Sequence, residues 1–205
     1  MSRPRTIGVL ALQGAFREHL RLLQSLGAEA RAVRTPDELA QVAALVIPGG
    51  ESTAISRLAV DLGMQEPISE RIRGGMPAFG TCAGMILLAD RLLDPRSGQQ
   101  QFGGLDLTVR RNAFGRQVES FETPVSIPAV GEPDYPGVFI RAPWVESTGP
   151  AVEVLATLTR PGPAGTPAVR IVAVRQGPVL ATAFHPELTR DNRLHRQFLT
   201  MIEED

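Results

Sequence analysis

Three times in the first half of the chain a short apolar run stops near glycine and gives way to a helical pattern: "IGVLALQGA", "ALVIPGGES" and "PAFGTCAG". Runs this short, apolar on both faces, suit strands buried between two layers, and helices between them demand parallel crossovers. The predicted strands are Thr6–Leu12, Glu29–Val33, Ala44–Pro48 and Pro77–Gly80. The first helix turns Phe16, Leu20, Leu23 and Gly27 to one face. The next starts at Thr35-Pro36-Asp37-Glu38, with Thr35 as cap, Pro36 in the first turn and Glu38 closing a capping box. Another is expected from about Thr53.

Beyond this the pattern changes. "LDLTVRR", "QVESF", "GVFIRA", "AVEVLATLT", "AVRIVAVRQ" and "PVLATAF" are short β segments with few helical stretches between them, which predicts an antiparallel extension of the same sheet. "RPGPAGTPA" (Arg160–Ala168) reads as an exposed hairpin connection, and a last helix capped near Thr189 carries Leu194, Phe198, Met201 and Ile202 inward. No internal repeat or linker divides the chain, so residues 1–205 read as a single α/β domain.

The chain holds one cysteine and no lysine. A lone thiol forms no internal disulfide, which predicts a reducing cytoplasm. Arginine cannot replace lysine as a Schiff-base amine, so P-loop, kinase and covalent pyridoxal chemistry are outside its reach. The formal net charge of -1, with arginines scattered, gives no reason to expect nucleic acid or an anionic membrane as partner. No apolar run reaches the length of a membrane span, and the N-terminus lacks a signal-peptide cleavage pattern.

The single thiol, Cys82, sits in Gly80-Thr81-Cys82-Ala83-Gly84, the spacing of a nucleophile elbow. A strand ends, the chain turns and a helix begins, and small flanking residues leave the apex side chain clear. The helix N-terminus favours the thiolate, and the Ala83 amide points toward an oxyanion formed on attack. The bland alternative is a buried, inert cysteine. His185, directly after the strand "PVLATAF", supplies a base. Glu187 lies two residues on, on the same side of an extended segment that Pro186 keeps out of the helical region. Cys82 and His185, each ending a predicted strand, are better explained together than as a core filler and a surface turn. His19 and His195 sit among charged neighbours in helical patterns, which predicts solvated side chains. "PGGEST" (Pro48–Thr53) ends a strand where α/β sheets bind ligands, although a plain turn capped by Ser52 would look the same.

Taken together, "GTCAG", "FHPE" and "PGGES" resemble the class I (triad) glutamine amidotransferases. Six blocks in order, "IGVLALQGAFREH", "PGGEST", "FGTCAGMILLA", "RNAFGRQVESF", "GVFIRAP" and "FHPELT", are similar to the glutaminase subunits of pyridoxal 5′-phosphate synthases. The resemblance implies a flavodoxin-like, three-layer α/β/α fold around a mixed, mainly parallel sheet. It implies a catalytic Cys82, His185 and Glu187, with the amides of Gly50 and Ala83 as oxyanion donors. It also implies L-glutamine contacts from Gly50, Glu51, Ser52, Arg111, Ile140 and Arg141, and a place for Gln13 near the interface with a separate synthase subunit. Neither a metal nor a cofactor is implied. Arg111 and Arg141 are alternative clamps for the substrate carboxylate, and Glu51 is a candidate for its ammonium group. The Arg160–Ala168 loop and Trp144 depart from the family pattern without touching the triad. Two other readings stay open: an amidotransferase serving a different acceptor, and a cysteine peptidase or deglycase-like protein with a similar elbow.

Overall fold

Strands that are apolar on both faces need cover on both, and the chain alternates strands and helices to provide it. The computed structural model describes residues 6–111, 120–161 and 166–203. The first half comprises β1 (Ile7–Leu10), α1 (Phe16–Ser25), β2 (Ala30–Val33), α2 (Pro36–Ala40), β3 (Ala44–Ile47), α3 (Ser52–Asp61), α4 (Gln65–Arg73), β4 (Ala78–Thr81) and α5 (Ala83–Leu88). The second comprises β5 (Ala89–Leu93), β6 (Leu105–Arg110), β7 (Ser120–Val125), β8 (Tyr135–Ile140), β9 (Trp144–Thr148), β10 (Glu153–Pro161), β11 (Pro167–Gln176), β12 (Val179–Thr182) and α6 (Arg193–Glu203).

The main sheet runs β2-β1-β3-β4-β12-β11-β9-β6-β5, with β10 paired to β11. From β2 to β12 neighbours are parallel. The steps β12–β11, β11–β9 and β9–β6 are antiparallel, and β5 returns parallel to β6. Every residue of β1, β3, β4 and β12 is buried, as strands at the centre of a three-layer α/β/α sandwich should be. This is the flavodoxin-like arrangement. Among the described residues no helix is long and apolar enough to cross a membrane.

Local chemistry accounts for the joints. Thr35 Oγ1 accepts from the Glu38 amide while the Glu38 carboxylate accepts from the Thr35 amide, so the expected capping box forms. The helix expected from Thr53 starts at Ser52 and breaks at Gly63, whose φ of +65 favours glycine. Pro67 then sits in the first turn of α4, where its missing N–H costs nothing. Helix α5 lies hard against β3. A β-carbon on Gly84 would stand 2.1 Å from the Ile47 carbonyl oxygen, and one on Gly80 would stand 2.6 Å from the Gly84 carbonyl carbon.

The second half departs from expectation in three places. Strands β5 and β9 were not foreseen, because "ADRLL" and "WVEST" alternate too weakly to signal strand by pattern alone. "QVESF" and "GVFIRA" do not extend the main sheet. Their described parts, β7 and β8, pair with each other as a separate two-stranded sheet, and Gln117–Glu119 lie outside the described residues. That hairpin is anchored by rings: Phe139 meets Phe184 at 5.3 Å between centroids and stacks on Phe121 at 4.7 Å. Burial of such rings contributes roughly 1.5–3 kcal/mol each. The last helix begins at Arg193 rather than near Thr189. Thr189 Oγ1 donates to the Pro186 carbonyl and accepts from the Asp191 amide, closing a 3-10 turn, and Asp191 bonds the Arg193 amide. Across "RPGPAGTPA" β10 and β11 pair as a hairpin, Arg160 opposite Ala168, while residues 162–165 lie outside the described residues.

The two joints should differ sharply in cost. Gly84→Ala is expected to lower unfolding stability in urea by about 2–3 kcal/mol through overpacking against β3. Thr35→Ala, which removes an exposed cap, is expected to cost about 1 kcal/mol. Equal losses would contradict the packing described for α5.

Candidate active site

Three neighbouring parallel strands, β3, β4 and β12, end at one level: Ile47 pairs with Gly80, and Thr81 with Thr182. The residues that follow them are Pro48-Gly49-Gly50, Cys82 and, after Ala183-Phe184, His185. Ligand sites in open α/β sheets form outside these carboxyl ends.

Cys82 occupies a strained position, with φ 50 and ψ -100. Such a conformation persists only where the surroundings impose it. Here its amide donates to the Thr182 carbonyl at 2.8 Å, and the glycines on either side admit the turn. Cys82 and His185 both close on the backbone of Gly49. His185 Nδ1 lies 2.7 Å from Glu187 Oε1, and Glu187 is fully buried at its side chain. Burial alone would lower the His185 pKa, but the neighbouring Cys82 and the Glu187 carboxylate override it and raise it to about 10. The structure therefore brings together Cys82 of "GTCAG" and His185 and Glu187 of "FHPE".

Gly49 has no room for a side chain, since a β-carbon would meet His185 Cε1 at 2.3 Å and Cys82 Cβ at 3.4 Å. Gly50 is exposed and lies against Gln13, whose Oε1 accepts from the Glu51 amide at 2.8 Å. Gln13 is thus tied to the turn that carries the expected oxyanion donor Gly50. The other expected donor, Ala83, opens α5 beside Cys82.

The expected glutamine contacts divide into two groups. Glu51 turns back to cap α3, accepting from the amides of Thr53 and Ala54, and also pairs with Arg111 at 3.2 Å. Burial raises its pKa, but the backbone bonds from Ala54 and Thr53, the Thr53 side chain and Arg111 together bring it below the usual value. Arg111 also donates to Thr53 Oγ1 and to Gln99 Oε1 at 2.7 Å. Gln99 in turn reaches Ser52 Oγ at 3.3 Å. Gln99 joins this group without a sequence signal, because it lies in an irregular glutamine run. In the second group, the Cys82 thiol approaches the Ile140 carbonyl at 3.8 Å, and Arg141 follows with φ 44 and an exposed side chain. The hairpin also touches the base, since the His185 amide donates to the Val138 carbonyl at 2.9 Å. The stretch Asn112–Glu119 of the "RNAFGRQVESF" block lies outside the described residues.

His19 and His195 overturn the expectation of solvated side chains. Both are 0% exposed. Their helical spacing, His19 with Leu23 and His195 with Phe198 and Ile202, puts each on an inward face, a signal that their charged neighbours obscured. His19 Nδ1 lies 2.9 Å from His195 Nε2, and His19 Nε2 lies 3.2 Å from Thr81 Oγ1 and 3.4 Å from Glu187 Oε2.

The model of the SNO glutamine amidotransferase family matches residues 9–204. Among curated proteins, a pyridoxal 5′-phosphate synthase subunit PdxT of Streptomyces avermitilis is 61% identical over 196 residues, covering 96% of this chain and 93% of that protein. One of the same name from Nocardioides is 57% identical over 205 residues, covering all of both. A crystal structure of a glutamine amidotransferase matches with a TM-score of 0.84 and 48% identity, over 96% of this chain and 98% of that one. A putative GMP synthase subunit from Thermoplasma acidophilum, at a TM-score of 0.67 and 20% identity over 100% of this chain and 96% of that one, shares the fold alone. With a family match over nearly its whole length, the chain belongs to the SNO glutamine amidotransferases.

Proposed function

We propose that this chain is the glutaminase subunit of a pyridoxal 5′-phosphate synthase, hydrolysing L-glutamine on Cys82 and handing ammonia to a separate synthase polypeptide. The observation that carries this reading is the convergence of Cys82, His185 and Glu187 at the ends of three adjacent parallel strands. Likeness to proteins named as PdxT subunits supports the choice of acceptor.

The Cys82 thiolate attacks the side-chain amide carbon of glutamine, and the amides of Gly50 and Ala83 hold the oxyanion of the tetrahedral adduct. Protonated His185 gives its proton to the leaving nitrogen, and the adduct collapses to a thioester and ammonia. Neutral His185 then takes a proton from water, the hydroxide adds to the thioester, and collapse releases glutamate and restores the thiolate–imidazolium pair. Glu187 holds the imidazole ring and supports its charge. In this reading the Glu51–Ser52–Arg111 group, which follows the Gly49-Gly50 turn, and Ile140–Arg141, whose Ile140 carbonyl approaches the thiol, bind the amino-acid end of glutamine. Arg111 supplies a guanidinium already aligned by Glu51, Thr53 and Gln99.

Building the pyridoxal ring from sugar phosphates is imine chemistry, which requires an amine that a lysine-free chain does not carry. A separate synthase subunit must therefore receive the ammonia, and Gln13, beside the Gly50 turn, belongs to the docking rim in this reading. This reading includes a cytoplasmic location, which a lone free thiol supports.

Two outcomes test the reading in the complex reconstituted with a synthase subunit. Cys82→Ala is expected to abolish glutamate release, and Glu187→Gln to lower kcat on the order of 10³- to 10⁴-fold by disturbing the imidazole tautomer. Retained glutaminase activity in Cys82→Ala would overturn it. The second outcome concerns pH. A base whose pKa is raised to about 10 stays protonated below that value and loses its proton as pH rises through it. Glutaminase kcat should thus hold through neutral pH and fall only as pH approaches 10, measured by glutamate release across that range.

A further inference from the structure

We propose that His19, backed by His195, is a positioning residue for the reaction: its Nε2–H fixes the second carboxylate oxygen of Glu187, so that Glu187 Oε1 stays aligned on His185. The proposal rests on the triad reading above and extends the triad inward to α1 and α6.

Glu187 is held by its first oxygen only. Oε1 engages His185 Nδ1 at 2.7 Å, while Oε2 is buried and, among the described residues, accepts no hydrogen bond of good geometry. His19 Nε2 stands 3.4 Å from Oε2. A buried carboxylate with one oxygen unanchored pivots, and the imidazole that leans on it pivots too. His19 Nε2 also bonds Thr81 Oγ1, which accepts from the Gly49 amide at 3.0 Å. The same ring therefore touches both the orienting carboxylate and the turn that carries Gly50.

The proposal requires the Nε2–H tautomer of His19. If His19 carried its proton on Nδ1, it would donate to His195 Nε2. The Nε2 lone pair could then accept from the Thr81 hydroxyl, but it would also face Glu187 Oε2, and His195 Nδ1–H would be a buried donor without a partner. With the proton on Nε2 of both rings, His195 donates to His19 and His19 donates toward Thr81 and Glu187. This leaves His195 Nδ1 as an acceptor without a partner, the cheaper kind of orphan, and has Thr81 Oγ1 accept from both His19 and the Gly49 amide. Both rings stay neutral. Burial, then the neighbouring His195 and His185, drive the His19 pKa well below its usual value, and burial lowers that of His195 to about 4. The titratable groups around the pair are Glu187, His185 and Cys82, while the ring of Phe79 lies edge-on to both histidines.

Three imidazoles make the test direct. With 15N-labelled histidine in the full chain, two rings are expected as neutral Nε2–H tautomers that do not titrate between about pH 5 and 9. A protonated His19, or one bearing its proton on Nδ1, overturns the proposal. In the reconstituted complex, His19→Leu should lower kcat roughly 10- to 100-fold, the range for losing an outer hydrogen bond that orients a catalytic ring. The KM for glutamine should stay within about twofold, and the alkaline limb of kcat should move to lower pH as His185 loses aligned support. His19→Gln, whose amide N–H reaches the place of Nε2, should recover most of the rate and return the limb. Loss in both variants with an unmoved limb would make His19 merely structural and overturn the proposal. The Cys82→Ala experiment judges the triad reading separately.

Discussion

The arrangement depends on backbone meeting backbone where side chains would normally intervene. Gly84 lies so close to the Ile47 carbonyl that no β-carbon fits, and Gly49 lies equally close to the His185 ring. These contacts draw the ends of β3, β4 and β12 into a single rim. Without them Cys82 would still head a helix and His185 would still end a strand, but a side chain's width would separate them. A hydrogen bond of 2.7 Å such as that from His185 to Glu187 tolerates little of that. The strained backbone of Cys82 follows from the same crowding: the residue is held at φ 50 by neighbours on both sides.

The same rim explains why the small hairpin matters. Strands β7 and β8 contribute nothing to the main sheet, yet β8 presents the Val138 carbonyl to the His185 amide and the Ile140 carbonyl to the Cys82 thiol. Phe139 lies between these two residues and packs inward on Phe184, one residue before His185. Alternation along a strand thus gives one element two tasks, anchoring through an inward ring and walling the site with backbone.

Local signals made the first half of the fold legible. The apolar runs, the Thr35 capping box and the glycine stops each depend on a few adjacent residues. The meeting of Cys82, His185 and Glu187 was legible for the same reason: "GTCAG" and "HPE" are compact, and they converge once both are placed at strand ends. What escaped was set by distant partners. "WVEST" is a strand because β6 and β11 flank it. Gln99 joins the Glu51–Arg111 group from a loop that has no pattern. His19 and His195 looked solvated because neighbouring residues in sequence are charged, whereas helical spacing turns those charges outward and the rings inward.

The three histidines show how environment, rather than residue type, assigns charge. All start from the same reference pKa. His185 has Cys82 and Glu187 beside it and keeps its proton up to about pH 10. His19 also lies near Glu187, but the carboxylate is already committed to His185, and a second imidazolium would face the first across it. Desolvation then decides, and His19 is neutral. A neutral ring can still donate one hydrogen bond, which anchors a carboxylate without competing for its charge. A lysine or arginine there would pull Glu187 away from His185 by forming a stronger pair. A neutral donor is therefore the suitable residue behind a triad carboxylate, and a histidine kept uncharged by burial against a second histidine meets that requirement.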